Sequence, residues 1–235
     1  MTSSTAPDPE TLLDRWLADA ALLAPDAGRD LWLAEGSLLL AGWSQAHRAY
    51  HTTRHLIEVL AALDELARAV PLDPREALLA RTVGWYHDLV HDPRSAAGSN
   101  EHRSATLARD HLHRLGVDDA LVDVVEAGVL MTQEHHVPDG ATAGPVLDAV
   151  HDADLWILAS PPSRYAQYRE QVRQEYAHVP AGDYRAGRAA VMEPFLRRER
   201  LYRTDHAHRA WTARARRNLR DELADLTGQA PTDGV

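Results

Sequence analysis

The sequence contains no cysteine. This absence excludes disulfide bonds, zinc sites built from thiolates and a cysteine nucleophile. Any metal site must therefore use nitrogen and oxygen ligands. Lysine is absent as well, so all 25 basic residues are arginines. The formal net charge of -10 predicts a surface that repels nucleic acid polymers, so we expect no such partner.

Long apolar runs are also missing. A membrane-spanning helix needs about 18 consecutive apolar residues, and the nearest candidate, 31–43, contains Glu35 and two glycines. The segment Met1–Pro9 has neither the basic start nor the apolar core of a secretion signal. We therefore expect a soluble, cytoplasmic protein that has no membrane partner.

Helical patterns dominate the chain, because apolar residues recur at intervals of three and four positions. Alternating patterns typical of strands are essentially absent, so the prediction is an all-α fold. The predicted helices cover about residues 9–23, 29–42, 53–70, 74–90, 100–115, 118–134, 145–159, 162–178, 183–200 and 207–227.

The helices divide into four regions by composition. Residues 1–42 are predicted to form N-terminal helices that pack on a core, which covers residues 43–160. Residues 161–227 form a helical extension rich in arginine and tyrosine, and residues 228–235 form a flexible tail. Eleven of the 14 histidines lie between His47 and His151, so we expect the chemistry in the core.

The His-Asp dipeptide occurs three times, which is close to what this composition produces by chance. The surroundings of His87-Asp88 are more informative, because the pair lies within an apolar segment. An ionised aspartate buried there would cost several kcal/mol without a compensating group. Asp152 and Asp154 lie in a similar apolar segment. Two positions apart on a helix, they point to different faces, so we expect one to bind a metal and the other to orient a partner or cap a helix.

Histidines four positions apart, His51 and His55, share a face on a continuous helix and can chelate one ion. Alternatively, His51 lies in the preceding loop and bonds to the backbone. The pair His135-His136 is equally compatible with a helix end, where it complements the dipole. For any single histidine the structural interpretation is favoured. Four histidines, His111, His113, His206 and His208, are expected at the surface because arginine-rich polar sequence surrounds them.

Taken together, His55, His87, Asp88 and Asp152 or Asp154 supply nitrogen and oxygen ligands from three helices. Helical bundles are a known setting for such metal sites. The mixed ligand set suits a divalent ion such as Mn, Fe, Co, Ni, Zn or Mg.

At these residues the chain resembles the HD superfamily of metal-dependent phosphohydrolases. The segment 55–59 is similar to its first-histidine helix, the His-Asp pair follows 32 residues after His55, and 153–155 is similar to its closing Ala-Asp element. The resemblance implies an HD-domain helical bundle with a C-terminal helical extension. It also favours Asp154 over Asp152 as the distal ligand.

A narrower resemblance covers about residues 43–225 and joins the chain to a bacterial family of predicted HD phosphohydrolases. It implies an acidic residue near the metal at Glu101 and a further active-site histidine at His135. The matching segments are 50–55, 85–88, 100–105, 152–155 and 165–176.

The resemblance implies a metal-dependent hydrolase of phosphoesters, with nucleotides or small phosphorylated metabolites as substrates. Metal-activated water would attack the phosphorus. We expect Asp88 to orient or deprotonate this water, and Glu101 or His135 to protonate the leaving oxygen. Arg54 or Arg103 would bind the phosphate, with His51 also in contact with the substrate.

Three alternatives remain open at this point. The first is a module of the same fold that senses a nucleotide or another ligand through an intact metal site without turnover. The second is an iron-dependent oxygenase or lyase built on the same site. The third is a helical scaffold whose core histidines are satisfied by hydrogen bonds.

Overall fold

The structure of the protein is a computed structural model that describes residues 9–137, 140–141 and 143–228. This part of the chain consists of helices and connecting turns without strands, which confirms the predicted all-α fold. The predicted tail lies outside the described residues except for Gly228, as do the first eight residues of the predicted N-terminal region. The helices are α1 (Pro9–Leu23), α2 (Arg29–Trp43), α3 (Thr53–Ala69), α4 (Pro74–Tyr86), α5 (Ser99–Arg114), α6 (Asp119–Met131), α7 (Gly144–Asp154), a 3-10 helix (Leu155–Ala159), α8 (Pro162–Glu175), α9 (Ala181–Arg197) and α10 (Asp205–Thr227).

Side-chain caps explain where several of these helices begin. Asp73 accepts hydrogen bonds from the backbone of α4, and the Glu76 side chain bonds back to the Asp73 backbone, which completes a capping box. Thr52 and Thr204 cap α3 and α10 in the same way through their hydroxyl oxygens. The start of α3 is thus defined two residues before His55, which lies in its first turn.

Helix α4 ends at Tyr86, four residues earlier than the predicted end at position 90, so His87 and Asp88 lie on the turn that follows it. The Leu89 N–H bonds to the Tyr86 carbonyl only three residues back. The buried guanidinium of Arg48 donates to the carbonyls of Asp88 (2.8 Å) and Leu89 (2.7 Å). Arg48 thus satisfies two carbonyls of the turn that the helix itself does not pair.

The predicted ends at 134, 159 and 178 also extend too far. Helix α6 ends at Met131, α7 gives way to the 3-10 helix after Asp154, and α8 ends at Glu175. The apolar pattern continues past these helix ends, because turn residues also face the core. Periodicity alone therefore overestimates helix length at the positions that matter for the site.

One hydrophobic core includes buried residues from every helix, those of the predicted extension among them. Its largest fully buried side chains include Trp16, Trp43, Trp85, Tyr86 and Tyr202. Helices α3, α4 and α7 pack against one another at its centre, while α10 packs on α3 and the 3-10 helix. This packing brings the start of α3 together with the ends of α4 and α7.

None of the helices within the described ranges combines the length and apolarity needed to cross a membrane.

Candidate metal centre

Four side chains converge where α3, α4 and α7 meet. His55 lies in the first turn of α3, His87 and Asp88 follow α4 directly, and Asp154 is the last residue of α7. Both histidine rings are buried, and the two carboxylates are partly buried. The three helices thus present nitrogen and oxygen ligands to one point from different directions.

The separations of the ligand atoms are short. The Nε2 atoms of His55 and His87 lie 3.2 Å apart. Asp154 Oδ1 lies 3.2 Å from His55 Nε2 and 3.5 Å from His87 Nε2. Asp88 Oδ2 lies 3.3 Å from His87 Nε2 and 3.6 Å from His55 Nε2. Two nitrogens and two carboxylate oxygens therefore surround a common point.

Contacts behind the rings fix their orientation. His87 Nδ1 donates to the Gly84 carbonyl at 2.8 Å, so the Nε2 atom of the neutral ring carries a lone pair toward the cluster. His55 Nδ1 bonds to the Tyr50 hydroxyl at 3.0 Å. The indole of Trp43 packs against both imidazole rings, at centroid distances of 6.1 and 5.4 Å. Such contacts are typical of the residues that orient metal-ligating histidines.

The electrostatics of the cluster favour a bound positive charge. Burial by itself lowers the pKa of His87, but the carboxylates of Asp88 and Asp154 raise it well above its ordinary value. Burial by itself raises the pKa of Asp88 and of Asp154, but His87 and the neighbouring imidazoles bring both well below the ordinary value. A bound proton or a bound metal ion supplies the positive charge that these carboxylates favour.

The residues therefore fit a divalent ion. His55, His87 and Asp154 form a group with metal-ligand spacing. This confirms the prediction that the chain has nitrogen and oxygen groups able to hold a metal. Two imidazole nitrogens and one or two carboxylates suit a transition metal of borderline softness. The chemistry of these ligands does not select one such metal over another.

A second group with metal-ligand spacing consists of His51, His91 and Glu175. Glu175 Oε1 accepts the backbone N–H groups of Ala49, Tyr50 and His51 at 2.8, 2.8 and 3.0 Å. Its Oε2 lies 2.7 Å from His51 Nδ1 and 3.3 Å from His91 Nε2. Burial by itself raises the pKa of Glu175, but the hydrogen bond from His51 and the nearby imidazole of His91 hold it far below its ordinary value.

This arrangement determines how His51 faces the site. His51 lies in the loop before α3, and its Nδ1 bonds to the Glu175 carboxylate. Its Nε2 consequently points the other way, to a position 3.8 Å from Asp88 Oδ2. Of the two sequence interpretations of His51, the loop position is correct, although its ring bonds to a carboxylate and not to the backbone.

Asp152 does not join the cluster. Its carboxylate is fully buried and accepts the N–H groups of Arg203 (2.7 Å) and Thr204 (2.8 Å), next to the His151 ring. Asp152 thus holds the segment before α10. Of the two aspartates that the sequence left open, the structure places Asp154 at the cluster and Asp152 in the capping position, because both Asp152 oxygens are engaged elsewhere.

We expect the Asp152→Ala variant to keep its metal and to lose stability. The substitution leaves two backbone N–H groups without acceptors, which costs about 2–4 kcal/mol. Denaturant unfolding and elemental analysis of the purified variant check both parts. A folded Asp152→Ala protein that has lost its metal would instead make Asp152 part of the centre.

A cavity of about 470 Å³ opens above the cluster. Asp88 and Asp154 lie on its wall, as do Glu101 and His135, which the sequence predicts near the metal. His135 Nε2 lies 2.9 Å from Asp154 Oδ2. The structure thus brings both residues to the same cavity as the ligands.

The two arginines that the sequence predicts for phosphate binding do not line the cavity above the cluster. Arg54 pairs with Glu58 (3.3 Å) and donates to Gln167 (3.1 Å). Arg103 lines a separate cavity of about 930 Å³, which shares no lining residue with the first. The cavity above the cluster has Arg188 and Arg198 on its wall instead.

Sequence reasoning assigned no role to Tyr50, Glu175 or Arg198. For Glu175 a signal exists, because it continues a buried helical face at positions 165, 168, 172 and 175. A carboxylate on such a face needs a partner. Arg198 has no comparable signal among so many arginines.

The predicted surface position of His111 is wrong. It is buried, and its Nδ1 lies 2.6 Å from the Glu35 carboxylate. His113 is exposed, as predicted, with 40% of its side-chain surface accessible. His206 and His208 are partly buried, with His206 bonded to Glu65 at 2.7 Å. His113 is therefore the suitable control for substitutions of ligand histidines.

Profiles of known protein families give no match to this chain, and none of the curated proteins matches it significantly. The interpretation of the centre therefore depends on its residues and their geometry.

Proposed function

We propose that the protein is a metal-dependent phosphohydrolase of the HD type, which hydrolyses the phosphoesters of nucleotides or small phosphorylated metabolites. The observation that carries this proposal is the convergence of His55, His87, Asp88 and Asp154 at the base of an open cavity. The order of these residues along the chain, with a distal aspartate after the His-Asp pair, is the order that the resemblance to HD phosphohydrolases implies.

His55, His87, Asp88 and Asp154 would hold the ion. When bound, a divalent ion lowers the pKa of a coordinated water and polarises a phosphoryl oxygen. The protein contributes the orientation of the ligands, through the contacts of Gly84 and Tyr50 with the two imidazole rings.

Proton transfer falls to groups on the cavity wall. We assign His51 to this role together with Glu101 and His135, because Glu175 holds His51 with its Nε2 toward Asp88. A carboxylate that bonds to one ring nitrogen fixes the tautomer and leaves the other nitrogen free to accept or donate a proton. Asp88 stays ionised beside these imidazoles and orients the attacking water.

Arg198 is the group that we assign to phosphate binding in place of Arg54 and Arg103. It lies on the cavity wall, where its guanidinium contacts the Glu134 carbonyl and the His151 ring at 3.3 Å and lies over the Phe195 ring at 4.7 Å. Within the described residues no carboxylate pairs with it. Burial, and then the charge of Arg203, lowers its pKa, but an arginine remains cationic at neutral pH. A guanidinium binds two phosphoryl oxygens at once.

The decisive experiment is metal removal and restoration. We expect the purified protein to contain at least one divalent ion per chain and to hydrolyse p-nitrophenyl phosphate or a nucleoside monophosphate. Exhaustive chelation should abolish the activity, and Mn, Co, Ni, Zn or Mg should restore it. The metal should also stabilise the fold, by about 2.7 kcal/mol when its free concentration is 100 times its Kd.

Four outcomes would contradict the proposal. Activity that survives chelation would exclude the metal mechanism. Ligand binding without turnover of any phosphoester would favour the sensing module, and iron-dependent oxygen consumption would favour the oxygenase. A protein that neither contains a metal nor gains thermal stability from one would leave only the helical scaffold.

A further inference from the structure

A second cavity, of about 430 Å³, adjoins the cavity above the metal cluster. Helices α8 and α9 of the C-terminal extension form most of it, and the loop before α3 completes it. Five residues line both cavities, so the two cavities lie side by side and share part of their walls. These residues are Tyr50, His51, Tyr168, Arg188 and Val191.

The walls of this second cavity are mainly aromatic and aliphatic. Tyr168, Tyr176 and Tyr184 contribute their rings, and Val172 and Val179 lie between them. We call this space the tyrosine cavity. Side chains of this kind bind planar aromatic groups through stacking and apolar contact.

The arginine on the wall of the tyrosine cavity, Arg188, is already paired with a carboxylate. Arg188 donates to Glu222 at 2.9 Å, and its guanidinium lies over the Tyr168 ring at 4.8 Å from the centroid. Because this pairing satisfies its charge, Arg188 does not select an anionic group. The phosphate of a ligand is therefore expected at the metal cluster, with its uncharged part in the tyrosine cavity.

Tyr50 lies between the metal cluster and the tyrosine cavity. Its hydroxyl bonds to the metal-cluster residue His55, and its ring packs edge-on against Tyr168 at a centroid distance of 4.6 Å. The Tyr50 and His55 rings lie 4.7 Å apart. Only one aromatic ring thus separates a metal ligand from the tyrosine cavity, a spacing that a sugar between a phosphate and a base can bridge.

We propose that the tyrosine cavity binds the nucleobase of a nucleoside monophosphate whose phosphate lies at the metal cluster. For its phosphate end this inference rests on the proposed function. Asp183, on the cavity wall, offers carboxylate oxygens to the N–H groups on the edge of a base. The C-terminal extension then supplies substrate recognition, while the helices of the core supply the metal ligands.

Gly187 provides a direct test, because it lines the tyrosine cavity and a Cβ atom added there meets nothing within 4 Å. The Gly187→Leu variant should fill the cavity without disturbing the fold. Gly182 is the matched control: it lies in the same helix, a Cβ atom there also meets nothing within 4 Å, and it does not line the cavity. Both substitutions replace glycine in α9 by a better helix former.

Hydrolysis of the four common ribonucleoside 5′-monophosphates is compared with hydrolysis of glycerol 3-phosphate, which has no aromatic group. We expect Gly187→Leu to reduce kcat/KM for the nucleotides by about tenfold or more, the amount that loss of base stacking predicts. The value for glycerol 3-phosphate should remain that of the Gly182→Leu control. Equal effects on all the esters, or no turnover of nucleotides by a wild type that hydrolyses glycerol 3-phosphate, would overturn the inference.

Calorimetric titration of the metal-loaded protein with adenosine, guanosine, cytidine and uridine separates the two proposals. Should no phosphoester be hydrolysed, the proposed function fails, yet a nucleoside that binds the wild type and Gly182→Leu but not Gly187→Leu would support the tyrosine cavity as its site. Absence of binding by every nucleoside in such an inactive protein would overturn the inference as well.

Discussion

Replacement of His87 by alanine is expected to remove the metal and abolish phosphoester hydrolysis together. The Nε2 atom of His87 lies within 3.5 Å of the other three residues of the cluster, so its removal takes away the nitrogen that all of them surround. Residues that merely support ligands typically contribute about 10- to 100-fold to metal affinity. We expect the loss on removing a ligand itself to exceed about 100-fold, measured by metal titration and by kcat/KM.

Asp154→Asn tests the same centre with an almost unchanged side-chain shape. It removes the charge of an oxygen 3.2 Å from His55 Nε2, so metal affinity should fall although the packing of α7 persists. His113→Ala is the control, since this exposed histidine makes its only ion pair with Asp119 at 3.3 Å within the described part of the chain. The assignment is wrong if folded His87→Ala protein keeps full metal occupancy and turnover.

Glu175→Ala is expected to produce the largest loss of stability. The substitution removes the acceptor of three backbone N–H groups before α3 and leaves His51 and His91 without their carboxylate. Breaking a buried charged network of this kind costs about 3–5 kcal/mol. For a chain of this size the corresponding decrease in Tm is roughly 6–20 °C. Thermal and denaturant unfolding measure the loss.

Glu175→Gln separates the structural contribution of Glu175 from its charge. The amide oxygen can still accept the backbone N–H groups, whereas the amide nitrogen opposes a protonated His51 Nδ1. This variant should therefore fold and lose activity through misorientation of His51. Full activity in Glu175→Gln would exclude the orienting role.

The charge of Glu175 also predicts a pH dependence. Its pKa in the folded protein is lowered, so its contribution to stability is present above the unfolded-state pKa of about 4.3. The contribution is lost as the pH falls below that value toward the lowered pKa. Glu175→Gln lacks this titration, and its Tm should depend less steeply on pH under acidic conditions.

Several features of the fold could be predicted from local sequence. Helical periodicity identified the all-α class, and the apolar setting of Asp88 and Asp154 marked these carboxylates as groups in need of a partner. Both inferences use information within one helix and its flanks. The spacing of apolar residues shows which face of a helix is buried, and burial determines the free-energy cost of an unpaired charge there.

Helix ends were less predictable. The end of α4 depends on Arg48, which lies about 40 positions earlier in the chain and satisfies the carbonyls of Asp88 and Leu89. Helical periodicity within α4 contains no information about this partner. The position of the His-Asp pair on a turn is therefore a tertiary effect.

The sequence by itself determined that the protein is helical, that any metal must be bound by nitrogen and oxygen, and that His55, His87 and a nearby aspartate are candidates for the centre. Only the tertiary structure decided between Asp152 and Asp154. Two positions turn a helix by about 200°, so the two carboxylates face different neighbours, and Asp152 faces the segment before α10, where it accepts the Thr204 N–H. It likewise placed Arg198, and not Arg54 or Arg103, on the wall of the cavity above the cluster and brought Glu175 to His51. Those choices depend on contacts between segments far apart in the chain, from 52 residues for Asp152 and Thr204 to 124 residues for His51 and Glu175, which local periodicity and composition do not encode.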